Sequence, residues 1–179
     1  MKNTEEQIKT DKLDLYIAIK RKKENPDLKK ELCFRTIIID EEKDLNYLKA
    51  KISSHPGIWR IYRTVNSRNT DIARKLLMCK LINEPDKWSS RIDTLWRSML
   101  LQKECKATNN FLIDIDSKDE NILKEVFNIL NLGKSYPFKN TPNGFHIIVP
   151  KFDTRLLEKF DCIEIKRDAY YFIEKIIIS

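Results

Sequence analysis

The chain has 179 residues, 41% of them hydrophobic and 34% charged, with a formal net charge of +7. This length carries one domain, or one core with a small satellite, and the composition is that of a soluble globular protein. The basic balance favours a polyanionic partner, and the short apolar runs exclude a membrane-spanning helix and the apolar core of a signal peptide.

With only three glycines, Gly57, Gly133 and Gly144, the chain has no Gly-rich phosphate loop, so any nucleotide is held by side chains and metal. Cys33, Cys79, Cys105 and Cys162 are scattered with no close pair, which reads as reduced thiols in a cytoplasmic protein rather than a zinc site or a disulfide scaffold.

In chain order, the opening through Leu15-Tyr16-Ile17-Ala18-Ile19 has apolar residues at mixed helical spacing and ends in Lys20-Arg21-Lys22-Lys23. It predicts a helix whose terminal cations suit its dipole, with Pro26 opening a second short one. The cations are then either a solvated helix end or a nucleic-acid contact. Phe34 to Ile39 is β-branched and short, the pattern of a buried strand, and Asp40 stands where the N-cap of a following helix belongs. His55-Pro56-Gly57 marks a turn. The strand after it alternates from Ile58 to Asn66, with Arg60, Tyr62, Thr64 and Asn66 on one unusually polar face.

Asn69 or Thr70 caps a helix through Ile72, Leu76, Leu77 and Leu81. Pro85 to Lys106 predicts an amphipathic helix with Trp88, Leu95, Trp96, Met99 and Leu100 available for packing. Asn110 to Asp116 then reads as a strand ending in two carboxylates. A period of two puts Asp114 and Asp116 on one face and Ile113 and Ile115 on the other. Like charges that close are explained by a divalent cation between them, or by two solvated acids at an edge strand. An amphipathic helix over Leu123–Leu130, stopped near Asn131 and Gly133, precedes the turn Pro142-Asn143-Gly144 and the strand Phe145–Val149 that carries His146. In Cys162–Tyr171, alternation puts Glu164, Lys166 and Asp168 together, as a third source of metal-binding oxygen or as an edge strand of alternating charge. The last stretch, Phe172–Ile178, is a strand or a buried tail.

This ordered set resembles the catalytic core of the archaeo-eukaryotic primase and primase-polymerase superfamily, in particular its small phage-type members. Ile113-Asp114-Ile115-Asp116 matches the family's first motif, Gly144-Phe145-His146 its second, and Glu164 or Asp168 the acid of its third. Arg60-Ile61-Tyr62, Val65-Asn66 and Arg68 are similar to an upstream stretch of the phage-type proteins. The resemblance implies an α+β fold, with a four-stranded RNA-recognition-like antiparallel sheet, flanking helices and a small N-terminal α/β portion. That is a single domain over 1–179, with a possible lobe at 1–57 and a catalytic core at 58–179. It also implies a pair of Mg²⁺ or Mn²⁺ ions on Asp114, Asp116 and Glu164 or Asp168, and contact between His146 and nucleotide phosphates. Where the family places a Ser or Lys near its His, this chain has Thr141 and Asn143 in the turn and Lys139 further back. Those three, with Arg60, Asn66, Arg68 and His146, are the candidate nucleotide-binding residues.

The expected function is a metal-dependent nucleotidyltransferase that primes or extends a strand on a DNA or RNA template with nucleoside triphosphates. A helicase or other replication protein would assist it in the cytoplasm, that of the bacterial host if the chain is phage-encoded. The alternatives are a catalytically degenerate protein that binds nucleic acid or a host protein, and a metal-dependent nuclease.

Overall fold

The computed structural model describes residues 12–179. It opens with strands β1 (Lys12–Lys20) and β2 (Leu32–Ile38), then helix α1 (Glu41–Ile52) and β3 (Gly57–Thr64). Next come β4 (Arg68–Asn69) and helices α2 (Thr70–Asn83), α3 (Pro85–Trp88) and α4 (Ile92–Leu100). The remainder is β5 (Asn110–Ile115), α5 (Glu120–Ile129), β6 (Phe138–Asn140), β7 (Phe145–Pro150), β8 (Ile163–Lys166) and β9 (Tyr170–Ile178). The fold is mixed α+β with two antiparallel sheets. It divides into two compact units, one of Asp14–Asn66 with Thr108–Ser179, the other containing Ser67–Ala107.

In the larger unit the first sheet has the order β2-β1-β3-β9 and the second β6-β7-β5-β8. Each buries one face under a helix. Tyr16, Ala18, Trp59 and Ile61 of the first pack with Leu48 and Ile52 of α1. Phe111, Ile113, Ile115 and Ile147 of the second pack with Leu123 and Val126 of α5. Both helices begin at a side-chain cap: Asp40 accepts the Lys43 N–H at 3.0 Å, and Asp119 accepts the Asn121 N–H at 2.8 Å. The stop expected for α5 is met by Asn131, at φ 50°.

The opening segment corrects the helical expectation, since Lys12–Lys20 is β1 and a single 3-10 turn, Lys22–Glu24, follows. Residues 1–11 of that expected helix lie outside the described residues. Leu15, Tyr16, Ile17 and Ala18 are all buried, so the side chains on both faces of β1 are covered. A strand covered on both sides loses the period-two signature, and its short apolar run then looks the same as a helix segment.

β9 follows an irregular register. Ile61 pairs with Glu174 and Tyr62 with Phe172, which leaves Ile173 as an extra residue in a bulge. A bulge reverses which side chains point to which face. Ile176 and Ile178 therefore join the core under α1, while Phe172, an even number of residues away, turns to the helix-free face.

In the other unit, the Asn69 side chain caps α2 by accepting the Ile72 N–H at 2.9 Å. The single helix expected over Pro85–Lys106 is instead broken into α3, a 3-10 turn at Ser89–Arg91, α4 and a second 3-10 turn at Lys103–Cys105. The break falls at Arg91, whose φ of −135° is not helical, after two serines that favour helix ends over helix interiors. Leu95, Met99 and Leu100 are buried as their spacing predicts.

Candidate functional site

The faces of the two sheets turned away from α1 and α5 line one cleft of about 650 Å³, within the size range of small-ligand sites. On β5, Phe111, Ile113 and Ile115 point into the core under α5, so Leu112 and Asp114 must point the other way, followed by Asp116 just past the strand end. The Asp116 N–H donates to the Cys162 carbonyl at 2.8 Å, which pins that end to the segment entering β8.

Cross-strand register builds a row of functional groups on this face. Lys139 on β6 stands opposite His146 on β7, His146 opposite Asp114 on β5, and Asp114 opposite Glu164 on β8. His146 Nε2 is 3.1 Å from Asp114 Oδ1. The His146 Nδ1 accepts the backbone N–H of Phe172 at 3.2 Å, a group that β9 presents beside its bulge. A nitrogen that accepts carries no proton, so the imidazole proton sits on Nε2 and is donated to Asp114.

The other carboxylate oxygen of Asp114 accepts from Lys166 Nζ at 2.6 Å, and the same ammonium lies 3.0 Å from Glu164 Oε2. Burial pushes the Asp114 carboxyl up, but the hydrogen bonds from His146 and Lys166 outweigh it and hold the group down at about 2. Burial lowers the Lys166 ammonium, and its bonds to Asp114 and Glu164 win and raise it.

Gly144 explains how the His-bearing strand comes so close to the acids. A Cβ there would lie 1.8 Å from the Ile115 carbonyl oxygen and 2.8 Å from Ser117 N, so only a bare backbone can start β7 against the end of β5. Thr141 closes the turn before it, its N–H donating to the Gly144 carbonyl at 2.8 Å and its Oγ1 accepting the Gly144 N–H at 3.0 Å.

Among the residues expected at the site, Asp114, Asp116, His146, Glu164 and Asp168 all line this cleft. Arg60, Thr141 and Asn143 line it as well. Arg60 donates through Nε and Nη2 to Glu24 Oε1 at 2.8 and 2.6 Å, and that bond raises its pKa. Asn66 and Arg68 are not brought into it. Asn66 is fully buried and works as a hydrogen-bond hub. Its Nδ2 donates to the Asn110 carbonyl at 3.0 Å and the Arg167 carbonyl at 3.3 Å, while its Oδ1 accepts from the Asn110 N–H at 2.7 Å and Thr108 Oγ1 at 3.0 Å. Arg68 is 1% exposed, within the unit that holds α2 and α4. Their sequence pattern suggests polar groups facing a ligand, and burial gives the same pattern, in Asn66 with backbone partners.

Three cations of the cleft are outside the site residues that the sequence suggests. Lys166 falls on the Glu164 face there, and its spacing of two from Glu164 is the available signal. Arg21 and Lys23, which the sequence offers as a solvated helix end or a nucleic-acid contact, also line the cleft. Among the described residues, no three His, Cys, Asp or Glu side chains as they stand form a group able to hold a metal ion. No helix among them is long and apolar enough to cross a membrane.

Compared with known protein families, with curated proteins and with solved structures, the chain has no significant match.

Proposed function

We propose that this cleft is the nucleotide site of a metal-dependent nucleotidyltransferase that primes or extends a nucleic-acid strand. The observation that carries the reading is the row His146, Asp114 and Glu164 on the helix-free face of a four-stranded antiparallel sheet. The strands supply it in the order Asp-x-Asp, helix, Gly-x-His, acid, which is the order of the primase-polymerase resemblance. The cleft's volume suits a nucleotide, and cations and acids share its wall.

The donor chemistry fits Mg²⁺ or Mn²⁺. Asp114, Asp116, Glu164 and Asp168 offer hard oxygen ligands around one space, and the gap between Asp114 and Glu164 already holds a cation, the Lys166 ammonium. Bound there, the ions would activate a 3′-hydroxyl and offset the charge of a triphosphate. Lys166, on a flexible four-carbon stem, would have to swing away from the carboxylates to admit them. Arg60, held by Glu24, presents its planar cation to phosphate. His146 keeps its proton on Nε2, where it orients Asp114, and that same N–H is the group able to turn to a phosphate oxygen.

The Lys166 bridge also favours a second reading. A carboxylate pair already bridged by an internal ammonium suits a protein that binds nucleic acid or another protein without metal chemistry.

The deciding experiment measures nucleotide incorporation on primed and unprimed DNA and RNA with Mg²⁺ or Mn²⁺, for wild type, Asp114→Asn and Asp116→Asn. Incorporation by wild type alone is expected, with strand binding kept or strengthened in the variants because a repulsive charge is gone. No incorporation under any condition, with strand binding intact, moves the assignment to the binding protein. Metal-dependent shortening of the strand without added nucleotide moves it to a nuclease.

A further inference from the structure

Residues 21–31 connect β1 to β2 and carry Arg21, Lys22, Lys23, Lys29 and Lys30, of which the four lysines are exposed. Three acids stand among them, Glu24, Asp27 and Glu31. Glu24 does little to cancel the outward charge, because its side chain is 12% exposed and is held by Arg60. Glu31 accepts the Lys22 backbone N–H at 3.1 Å.

The connection is fixed in place. Asn25 Nδ2 donates to the Arg21 carbonyl and to the Ile58 carbonyl, each at 2.9 Å, and Asn25 Oδ1 accepts the Ile58 N–H at 2.8 Å. These bonds staple the loop to β3. A Lys20 Nζ bond to the Pro56 carbonyl adds to them. Gly57, at φ 128°, lets the chain turn beneath the loop, in a backbone region that other residues rarely adopt.

The loop thus holds a set of cations on a rigid support at the rim of the acid-lined cleft, with Arg21 and Lys23 on its wall. A carboxylate-rich floor repels a polyanion, and a preformed cationic rim is what offsets that repulsion. We propose that this β1–β2 loop grips the phosphodiester backbone of a single nucleic-acid strand whose end enters the cleft. The assignment to a single strand rests on the cleft being a nucleotide site, as proposed above, since a volume of about 650 Å³ admits a nucleotide and not a duplex. The loop's one aliphatic side chain of any size, Leu28, is half-buried, so it lacks the exposed apolar face that an anionic membrane surface would take up.

The test uses Lys22, Lys29 and Lys30, which stand outside the cleft wall. The triple Ser variant and a charge-preserving triple Arg variant are titrated against a labelled single-stranded oligonucleotide, DNA and RNA, without metal or nucleotide, over a series of salt concentrations. The Ser variant is expected to bind about tenfold or more weakly near physiological salt. Its plot of log affinity against log salt flattens by about 2, from roughly 0.7 for each single-strand phosphate that a lysine no longer neutralises. The Arg variant retains binding, and Mn²⁺-nucleotide binding is the same in all three proteins. Unchanged strand affinity and slope in the folded Ser variant overturns the proposal. So does wild-type protein that binds anionic phosphatidylserine vesicles but no strand. Failure of wild type to incorporate nucleotide overturns the nucleotidyltransferase reading alone, because the salt slope is read without chemistry.

Discussion

His146 and Asp114 face each other across the β5–β7 ladder, with Nε2 3.1 Å from Oδ1, and the ring's second nitrogen is occupied by the Phe172 N–H. Asp114 is therefore held from one side by an imidazole of fixed tautomer and from the other by Lys166.

The first prediction concerns pH. The folded-state pKa of Asp114 is about 2 against an ordinary 3.8, so the group is depressed and its contribution is fully present above pH 3.8. That contribution disappears as the pH falls through about 2. Its size is about 2.5 kcal/mol, the free-energy equivalent of moving the carboxyl from 3.8 to about 2. Urea unfolding at a series of pH values should show this loss in wild type and not in Asp114→Asn. Lys166→Met should move the loss upward, toward the usual carboxylate range. Parallel curves for wild type and Asp114→Asn below pH 4 would sink the account.

The second prediction separates ammonium from metal. Lys166→Met removes the cation that lies between Asp114 and Glu164, so it should bind Mn²⁺ several-fold more tightly than wild type, as read by calorimetry or electron paramagnetic resonance. Weaker Mn²⁺ binding in the variant would mean that Lys166 supports the carboxylates and does not compete for them.

The third concerns Gly144. A methyl group there meets the Ile115 carbonyl oxygen at 1.8 Å, and backbone atoms cannot swing aside as a side-chain end can. Gly144→Ala should cost about 3 kcal/mol, at the upper end of overpacking penalties, and should displace Asp116. Gly133→Ala is the control, because nothing lies within 4 Å of a Cβ there. Equal melting temperatures for the two variants would refute the close-approach argument.

The fourth concerns Asn66. Its side chain makes four hydrogen bonds, to Asn110 N–H, the Asn110 and Arg167 carbonyls and Thr108 Oγ1. Asn66→Ala strands buried backbone groups and should lower unfolding free energy by about 3 kcal/mol. At temperatures where the variant stays folded, nucleotide affinity should be unchanged. A folded and fully stable variant with weakened nucleotide binding would return Asn66 to the ligand site.

Local chemistry is the legible part of this chain. The Asp40 and Asn69 caps, the alternation of β5 and the Pro142–Gly144 turn each depend on a few neighbouring residues, and each stands where the sequence puts it. What escapes depends on long-range pairing. β1 reads as a helix because side chains on both its faces are buried, Leu15 and Ile17 on one and Tyr16 and Ala18 on the other. Arg21 and Lys23 are legible as a basic cluster, but a helical reading does not bring them to the cleft. Lys166 gains its role only once β8 is laid beside β5, and the Phe172 N–H reaches His146 only because β9 bulges at Ile173. Asn66 shows the converse limit, since residue type alone does not distinguish a buried hydrogen-bond hub from a ligand contact.

The row Lys139, His146, Asp114 and Glu164 shares its ladder with the apolar layer under α5. If β7 slid by one position against β5, Ile147 would face the cleft and His146 would be driven in among Ile113, Ile115 and Val126. The geometry of the chemistry is in this way inspected by the hydrophobic effect. A chain with its polar row out of line is also a chain with an imidazole in its core and an isoleucine in water, and it does not survive as a folded competitor. Directed changes to this site therefore have a wide margin in side-chain identity along the cleft face, and almost none in the lengths of the turns that set the ladder.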